Sequence, residues 1–205
     1  KNISSSISIG LNSVGVMLPY MPFHYMLFEK LKVNSIVLTS GNISDEPVII
    51  SDKEAMSIFS SICDGVITYN REIYNRTDDS VTTVINNTPR TIRRSRSYAP
   101  SPIILKLQTE GIFAGGAELV NCFCLGKGNQ AIMSQHIGDL QNMETLEFYK
   151  ESVTRFSKLF RFKPEMAVMD MHPDYLSSRF VEQMQVPVTK VQHHHAHIAS
   201  CMAEH

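Results

Sequence analysis

The 205-residue chain is 43% hydrophobic and 19% charged, with a formal net charge of −1. Enough apolar surface for a core excludes a disordered chain, and the near-neutral balance argues against a dedicated nucleic-acid binder. No run reaches the roughly 20 apolar residues of a membrane helix, and no signal-type segment follows Lys1. The four cysteines form no CxxC pair, so neither a zinc ribbon nor a disulfide framework is indicated, and a reducing cytoplasm is the expected setting.

The predicted elements begin with a short strand at Ser13–Leu18, closed by Pro19-Tyr20. Pro22–Leu31 is predicted helical, with Phe23, Met26, Leu27 and Leu31 at helical spacing. Ser35–Thr39 reads as a buried strand stopped by Ser40-Gly41-Asn42. Asp52 is expected to cap a helix running to about Cys63. Strands are expected at Gly65–Asn70 and Ser80–Ile85, with Asn86-Asn87 as a turn. A basic run from Thr91 to Arg96 then leads to Ala99-Pro100-Ser101-Pro102, where two prolines place the domain boundary.

Beyond the boundary, Gly111–Ala117, Asn121–Lys127 and Gln130–Gln135 read as strands, the last two joined by the hairpin turn Gly126-Lys127-Gly128-Asn129. Asn142 is expected to cap a long helix with Met143, Leu146, Tyr149, Val153, Phe156 and Phe160 on one face, ended by Pro164. Strand Met166–Asp170, helix Asp174–Met184, strand Val188–Val191 and a helix opening near His193 complete the chain. The resulting β-β-β-α-β-α-β-α order suits an antiparallel meander extended by parallel crossover strands. The chain opens on Lys1 rather than Met and closes inside a predicted helix, so both ends read as cut.

The strongest chemical signal is Val191-Gln192-His193-His194-His195-Ala196-His197. His193 and His197 are four apart, so on a helix both imidazoles share a face and two nitrogens can meet one divalent metal. His194 offers another register with His197, and a solvated histidine cluster without metal is the plain alternative. The loop Thr39-Ser40-Gly41-Asn42 follows a predicted strand, the edge where α/β sheets receive ligands, though a simple glycine turn accounts for it equally well. Arg90, Arg93, Arg94 and Arg96 form a run without acids, suited to phosphate or to a solvated edge strand. In a strand, Arg94 and Arg96 would share one face and Arg93 would take the other. Asp78-Asp79-Ser80 suits either magnesium or a turn. Gly115-Gly116, after the first strand beyond the boundary, suits a close approach of backbone to phosphate, while His136–Asp139 and Asp170–Asp174 sit at predicted strand ends as catalytic or turn residues alike, Asp174 capping the next helix in the latter case. Cys122 and Cys124 alternate in a strand and are expected in the core. These residues define an α/β protein with a helix suited to metal and loops suited to phosphate; no catalytic residue and no reaction follow from them.

Read together, the motifs go further. Val16–Tyr20, Thr39–Pro47, Asn70–Ile73 with Asp78–Ser80, Ile92–Arg96, Ser134–Leu140, Asp170–Tyr175 and Val191–His205 resemble, in order and spacing, the HypF family of hydrogenase-maturation carbamoyltransferases. The resemblance covers essentially the whole chain. It implies the C-terminal part of a YrdC-like α/β domain over 1–102 and, over 103–205, the first half of an actin/hexokinase-like, metal-binding transferase domain. It also implies an ATP-dependent carbamoyltransferase: carbamoyl phosphate yields carbamate, the YrdC-like domain forms carbamoyl-adenylate from ATP with its magnesium, and the transferase domain passes the carbamoyl group to the C-terminal cysteine of HypE. That group becomes the cyanide ligand of nickel–iron hydrogenase.

By matched position, the resemblance assigns Ser40, Asn42, Asp79, Ser80, Arg94 and Arg96 to the nucleotide and carbamoyl-adenylate pocket. It assigns His193 and His197 to a divalent metal, zinc or iron. No membrane and no nucleic-acid partner is expected. A glycine is expected where Ser97 stands, and a later aspartate completing the metal site lies outside the sequence, so no turnover is expected of this chain alone. Two other readings keep the same residues: a YrdC-like and transferase protein of tRNA threonylcarbamoyladenosine synthesis, and a non-catalytic nucleotide-binding remnant.

Overall fold

The computed structural model describes residues 4–204. Its contacts divide the chain into two compact units, Lys1–Thr39 and Ser40–His205. In the first, helix α1 spans Pro22–Leu31, with proline in the first turn, where a missing N–H costs nothing. It ends at Lys32, whose left-handed backbone (φ 54°) lets its N–H bond Phe28 O. Among the described residues, Ser13–Leu18 and Ser35–Thr39, expected as strands, run without ladder partners, as does Gly65–Asn70 in the second unit. β-Prone residues become a strand only when a neighbour takes up their N–H and C=O groups. Val16, Leu18 and Val37 are correspondingly exposed.

In the second unit, helix α2 spans Asp52–Phe59. Its cap is Ser51, whose Oγ accepts the Glu54 N–H, rather than Asp52, which occupies the first helical position. It stops short of Cys63 because Ser60 and Ser61 turn their hydroxyls back onto Ser57 O and Ile58 O. Strands β1 (Val81–Ile85) and β2 (Thr88–Arg93) form an antiparallel hairpin. Asn86 and Asn87 turn it, both left-handed at φ 51° and 59°, the geometry whose twist matches paired strands. Because β2 ends at Arg93, Arg94 and Arg96 lie beyond it, and the shared strand face expected for them is not formed. Ser97, where glycine was expected, has φ +72°.

A six-stranded sheet carries the rest, in the order β3-β6-β5-β4-β7-β8. The short β3 (Ile103–Ile104) pairs antiparallel with β6 (Gln130–Met133) and has no counterpart in the periodicity. β6 pairs with β5 (Cys124–Lys127), and β5 with β4 (Ile112–Ala114), both antiparallel. β4, β7 (Met166–Asp170) and β8 (Val188–Val191) then run parallel. Helix α3 (Met143–Phe160) connects β6 to β7, helix α4 (Leu176–Glu182) connects β7 to β8, and helix α5 (His193–Glu204) follows β8. The β-β-β-α-β-α-β-α order read from the sequence is the order observed from β4 onward.

Asn142 caps α3, its Oδ1 accepting the Thr145 N–H at 2.8 Å. The helix ends at Arg161, left-handed at φ 50°, before Pro164 is reached. Between sheet and helices lies one core in which Phe123 stacks on Phe113 and takes Tyr149 and Phe156 edge-on. Cys122 and Cys124 do share a face, but the core face is Phe123 and Leu125; the cysteines are half-buried on the other side. At the end of β4, Gly116 is left-handed (φ +75°), and an added Cβ there would strike Cys122 O and Asn121 Nδ2.

Candidate functional site

The Ser40–Asn42 loop is braced from within. Ser40 Oγ donates to Asn42 Oδ1 at 2.5 Å, and Asn42 Nδ2 donates to Ile43 O and Glu46 O at 2.8 and 3.0 Å. Asn42 therefore shapes the loop, while the Ser40 hydroxyl can be redirected by a single rotation. Both residues border a cavity of about 290 Å³ that also receives Arg76, Asp78, Arg93 and His136. The cavity brings residues of the predicted nucleotide loop beside the Ser134–Leu140 motif, which lies far along the sequence.

The other expected pocket residues are placed differently. Asp79 pairs with Arg96 at 3.3 Å, and Arg96 Nη2 also donates to Thr77 O. Ser80 Oγ accepts the Ser95 N–H and donates to Arg96 O, tying the end of the hairpin together. Arg94 Nη2 donates to Ser101 O at 3.0 Å. Arg96 borders a neighbouring cavity of about 380 Å³, which shares Val48, Arg76 and Thr77 with the first. Of the basic run, Arg93 is the member that lines the cavity with Ser40 and Asn42.

Three further residues organise this region: Asp78 and His136, from motifs the sequence marked separately, and Arg76, which it did not mark. His136 Nδ1 lies 3.1 Å from Asp78 Oδ2, both side chains mostly enclosed. The hydrogen bond with His136 holds the Asp78 carboxyl below its usual range; the Arg93 and Arg96 charges help, and burial opposes them. Arg76 donates from Nε to Val48 O at 2.8 Å, pairs with Glu151 at 3.3 Å and lies over the Phe148 ring. Its own carbonyl accepts from Gln135 Nε2. An arginine next to Thr77-Asp78 carried no periodic signal, because its partners come from other parts of the chain.

The histidine helix is the second site. α5 begins at His193, and the structure brings His193 and His197 together with their Nε2 atoms 3.1 Å apart. Two imidazole nitrogens bound to one tetrahedral zinc, at about 2.0–2.1 Å each, stand about 3.3–3.4 Å apart. The pair is thus spaced for a shared cation. Asp170 Oδ2 lies 2.7 Å from the opposite ring nitrogen of His193, so it supports the ring rather than completing a ligand set. Among the described residues, no group of three or more His, Cys, Asp and Glu side chains could hold a metal ion.

Architecture and motifs define an α/β chain with a braced Ser40–Asn42 loop bordering a cavity and a histidine helix on a partly parallel sheet. Residues 1–95 match the Sua5/YciO/YrdC family model, described as telomere recombination, and residues 107–204 match the HypF Kae1-like domain. Between them the two models span nearly the whole chain, which matches a part of HypF. The chain is 41% identical over 201 residues to carbamoyltransferase HypF of Synechocystis sp. (strain ATCC 27184 / PCC 6803 / Kazusa), covering 98% of this chain and 26% of that one. It is 38% identical to carbamoyltransferase HypF of Rhizobium leguminosarum bv. viciae, covering 98% and 27%. A crystal structure of full-length HypF in the phosphate- and nucleotide-bound form superposes with a TM-score of 0.91 at 45% identity, covering all of this chain and 32% of that one. The T. kodakarensis HypF crystal structure gives 0.89 at 36% identity, covering 96% and 26%. The chain thus spans about a quarter of the length of the curated relatives it matches. Among the described residues, no helix is long and apolar enough to cross a membrane.

Proposed function

We propose that this chain contributes the adenylate loop and the opening of the transferase module to an ATP-dependent carbamoyltransferase. In this reading, carbamate derived from carbamoyl phosphate attacks the α-phosphorus of ATP, releasing pyrophosphate and leaving carbamoyl-adenylate. The carbamoyl group then passes to the sulfur of the C-terminal cysteine of HypE, releasing AMP, and there supplies a cyanide ligand for nickel–iron hydrogenase. The observation that carries the reading is the cavity itself. Ser40, Asn42 and Arg93 line it together with His136, so the loop and the Ser134–Leu140 motif border one space. The nucleotide and phosphate named for the related crystal structure support the same ligand chemistry.

Within that cavity, Ser40 would donate its hydroxyl to a phosphate or carbamoyl oxygen, with Asn42 keeping the loop in shape. Arg93 would face the charge that builds on phosphate as pyrophosphate leaves, an electrostatic rather than acid–base role. Asp79, Ser80, Arg94 and Arg96 would act through the hairpin end that they hold together. His193 and His197 would hold a divalent cation, zinc or iron, and such an ion polarises phosphate oxygens.

The test is ATP–pyrophosphate exchange in a full-length HypF-type protein carrying this sequence. Exchange should require carbamoyl phosphate. It should fall about 100-fold in Ser40→Ala, the loss typical of one donor to developing charge. Asn42→Ala should lose exchange with it, through collapse of the loop. Exchange driven by threonine and bicarbonate would move the protein to tRNA threonylcarbamoyladenosine synthesis, and no exchange with either would leave a binding role. HypE carbamoylation by the isolated chain would contradict its dependence on the rest of the protein.

A further inference from the structure

The imidazole of His193 is engaged from both sides. Nδ1 lies 2.7 Å from Asp170 Oδ2, and Nε2 lies 3.1 Å from His197 Nε2. Asp170 is the last residue of β7, with its side chain only 8% exposed. Its other oxygen accepts the His172 N–H at 2.8 Å, and its carbonyl accepts the Ser178 hydroxyl. Asp170 pairs with Val191 across β7 and β8, and α5 opens two residues later, so the strand register itself delivers His193 to the carboxylate. The Tyr175 ring stands edge-on to His193 at 6.4 Å, beside the same contact.

A carboxylate only accepts, so the proton of the Asp170–His193 bond sits on Nδ1. A neutral imidazole has one N–H, which leaves Nε2 of His193 with a bare lone pair directed toward His197. We infer that Asp170 is a positioning residue for the His193–His197 pair, fixing the tautomer and ring plane in which His193 offers Nε2 to a divalent cation. The inference rests on the metal reading proposed above. Asp170 itself lies on the wrong side of the ring to be a ligand. Partners of this kind, holding the far nitrogen of a metal-binding histidine, typically change metal affinity 10- to 100-fold when removed.

The experiment uses zinc alone, titrated by calorimetry into a full-length HypF-type protein carrying this sequence and into its Asp170→Ala, Asp170→Asn and His193→Ala variants. Nitrogen-15 imidazole spectra of the zinc-free proteins give the tautomer of His193. Asp170→Ala should weaken zinc binding about 10- to 100-fold and depopulate the Nδ1–H form. Asp170→Asn, whose amide oxygen still accepts, should keep most of both, and its circular dichroism should match the parent. If zinc binding needs His193 but is equal in the parent and both Asp170 variants, the inference fails and the metal reading stands. If the parent and the His193→Ala variant bind zinc alike, the metal reading fails and takes the inference with it.

Discussion

Cys122 and Cys124 show how much a local environment decides at the scale of one residue. Burial pushes both thiols up to about 11, so little nucleophilic thiolate forms near neutral pH. Cys63 and Cys201 are exposed. Titration of the native chain with a disulfide reagent at about pH 8, near an ordinary thiol pKa, should therefore show Cys63 and Cys201 reacting first. Cys122 and Cys124 should follow only on unfolding, and four equally fast thiols would refute that placement. Asp78 carries a second prediction. Its folded-state value is depressed, chiefly by the hydrogen bond with His136. Its contribution is thus complete above the unfolded value of about 3.9 and is lost as pH falls through the lower folded value. Urea midpoints measured from about pH 6 down to about pH 3 should fall less steeply for Asp78→Asn than for the parent. Identical acid limbs would show that the pair adds nothing. His136 and Asp78 are both visible in the sequence as polar motif residues, but their partnership across 58 positions leaves no periodic trace.

Among the elements, α3 joins local and distant instructions at one residue. Asn142 caps it through Oδ1 to the Thr145 N–H, and its Nδ2 donates to Asp45 O at 2.6 Å, in the segment just after the Ser40–Asn42 loop. The cap was legible, since Asn before an apolar periodic run satisfies a free helix N–H. The second bond was not. Asn142→Ala should cost about 1–2 kcal/mol by urea denaturation, the upper part of the range for cap loss, because a distant bond goes with the cap. Asn142→Asp keeps the cap acceptor but loses the donor to Asp45 O, so it should recover only part of that loss. Full recovery would show that the Asp45 contact contributes nothing. By contrast, α4 is capped from outside. Tyr175 makes no side-chain cap bond, and Glu118 Oε2, delivered from beyond the end of β4, accepts the Leu176 N–H at 2.8 Å. The helix predicted to open at Asp174 begins instead at Leu176, where a tertiary acceptor meets its first N–H.

Across the whole molecule, residues 40–95 belong to the Sua5/YciO/YrdC match yet share a compact unit with the part that matches the HypF Kae1-like domain. Arg76 with Glu151 and Phe148, Asp78 with His136, and Asp45 O with Asn142 are the contacts that bind them. The Ser40–Asn42 loop, tied in this way, is held in register with the Ser134–Leu140 motif that borders its cavity. By itself the sequence determined the identity of nearly every element from β4 to α5, the Asn86-Asn87 hairpin, the Asn142 cap and the shared face of His193 and His197. These rest on interactions one to four residues apart, which composition and period record directly. Only the tertiary structure decided which apolar runs found strand partners, which arginine of the basic run reached the cavity, and which carboxylate met which histidine. Those outcomes depend on chain closure over tens of residues, where the partner is chosen by packing and strand register rather than by the spacing of neighbours.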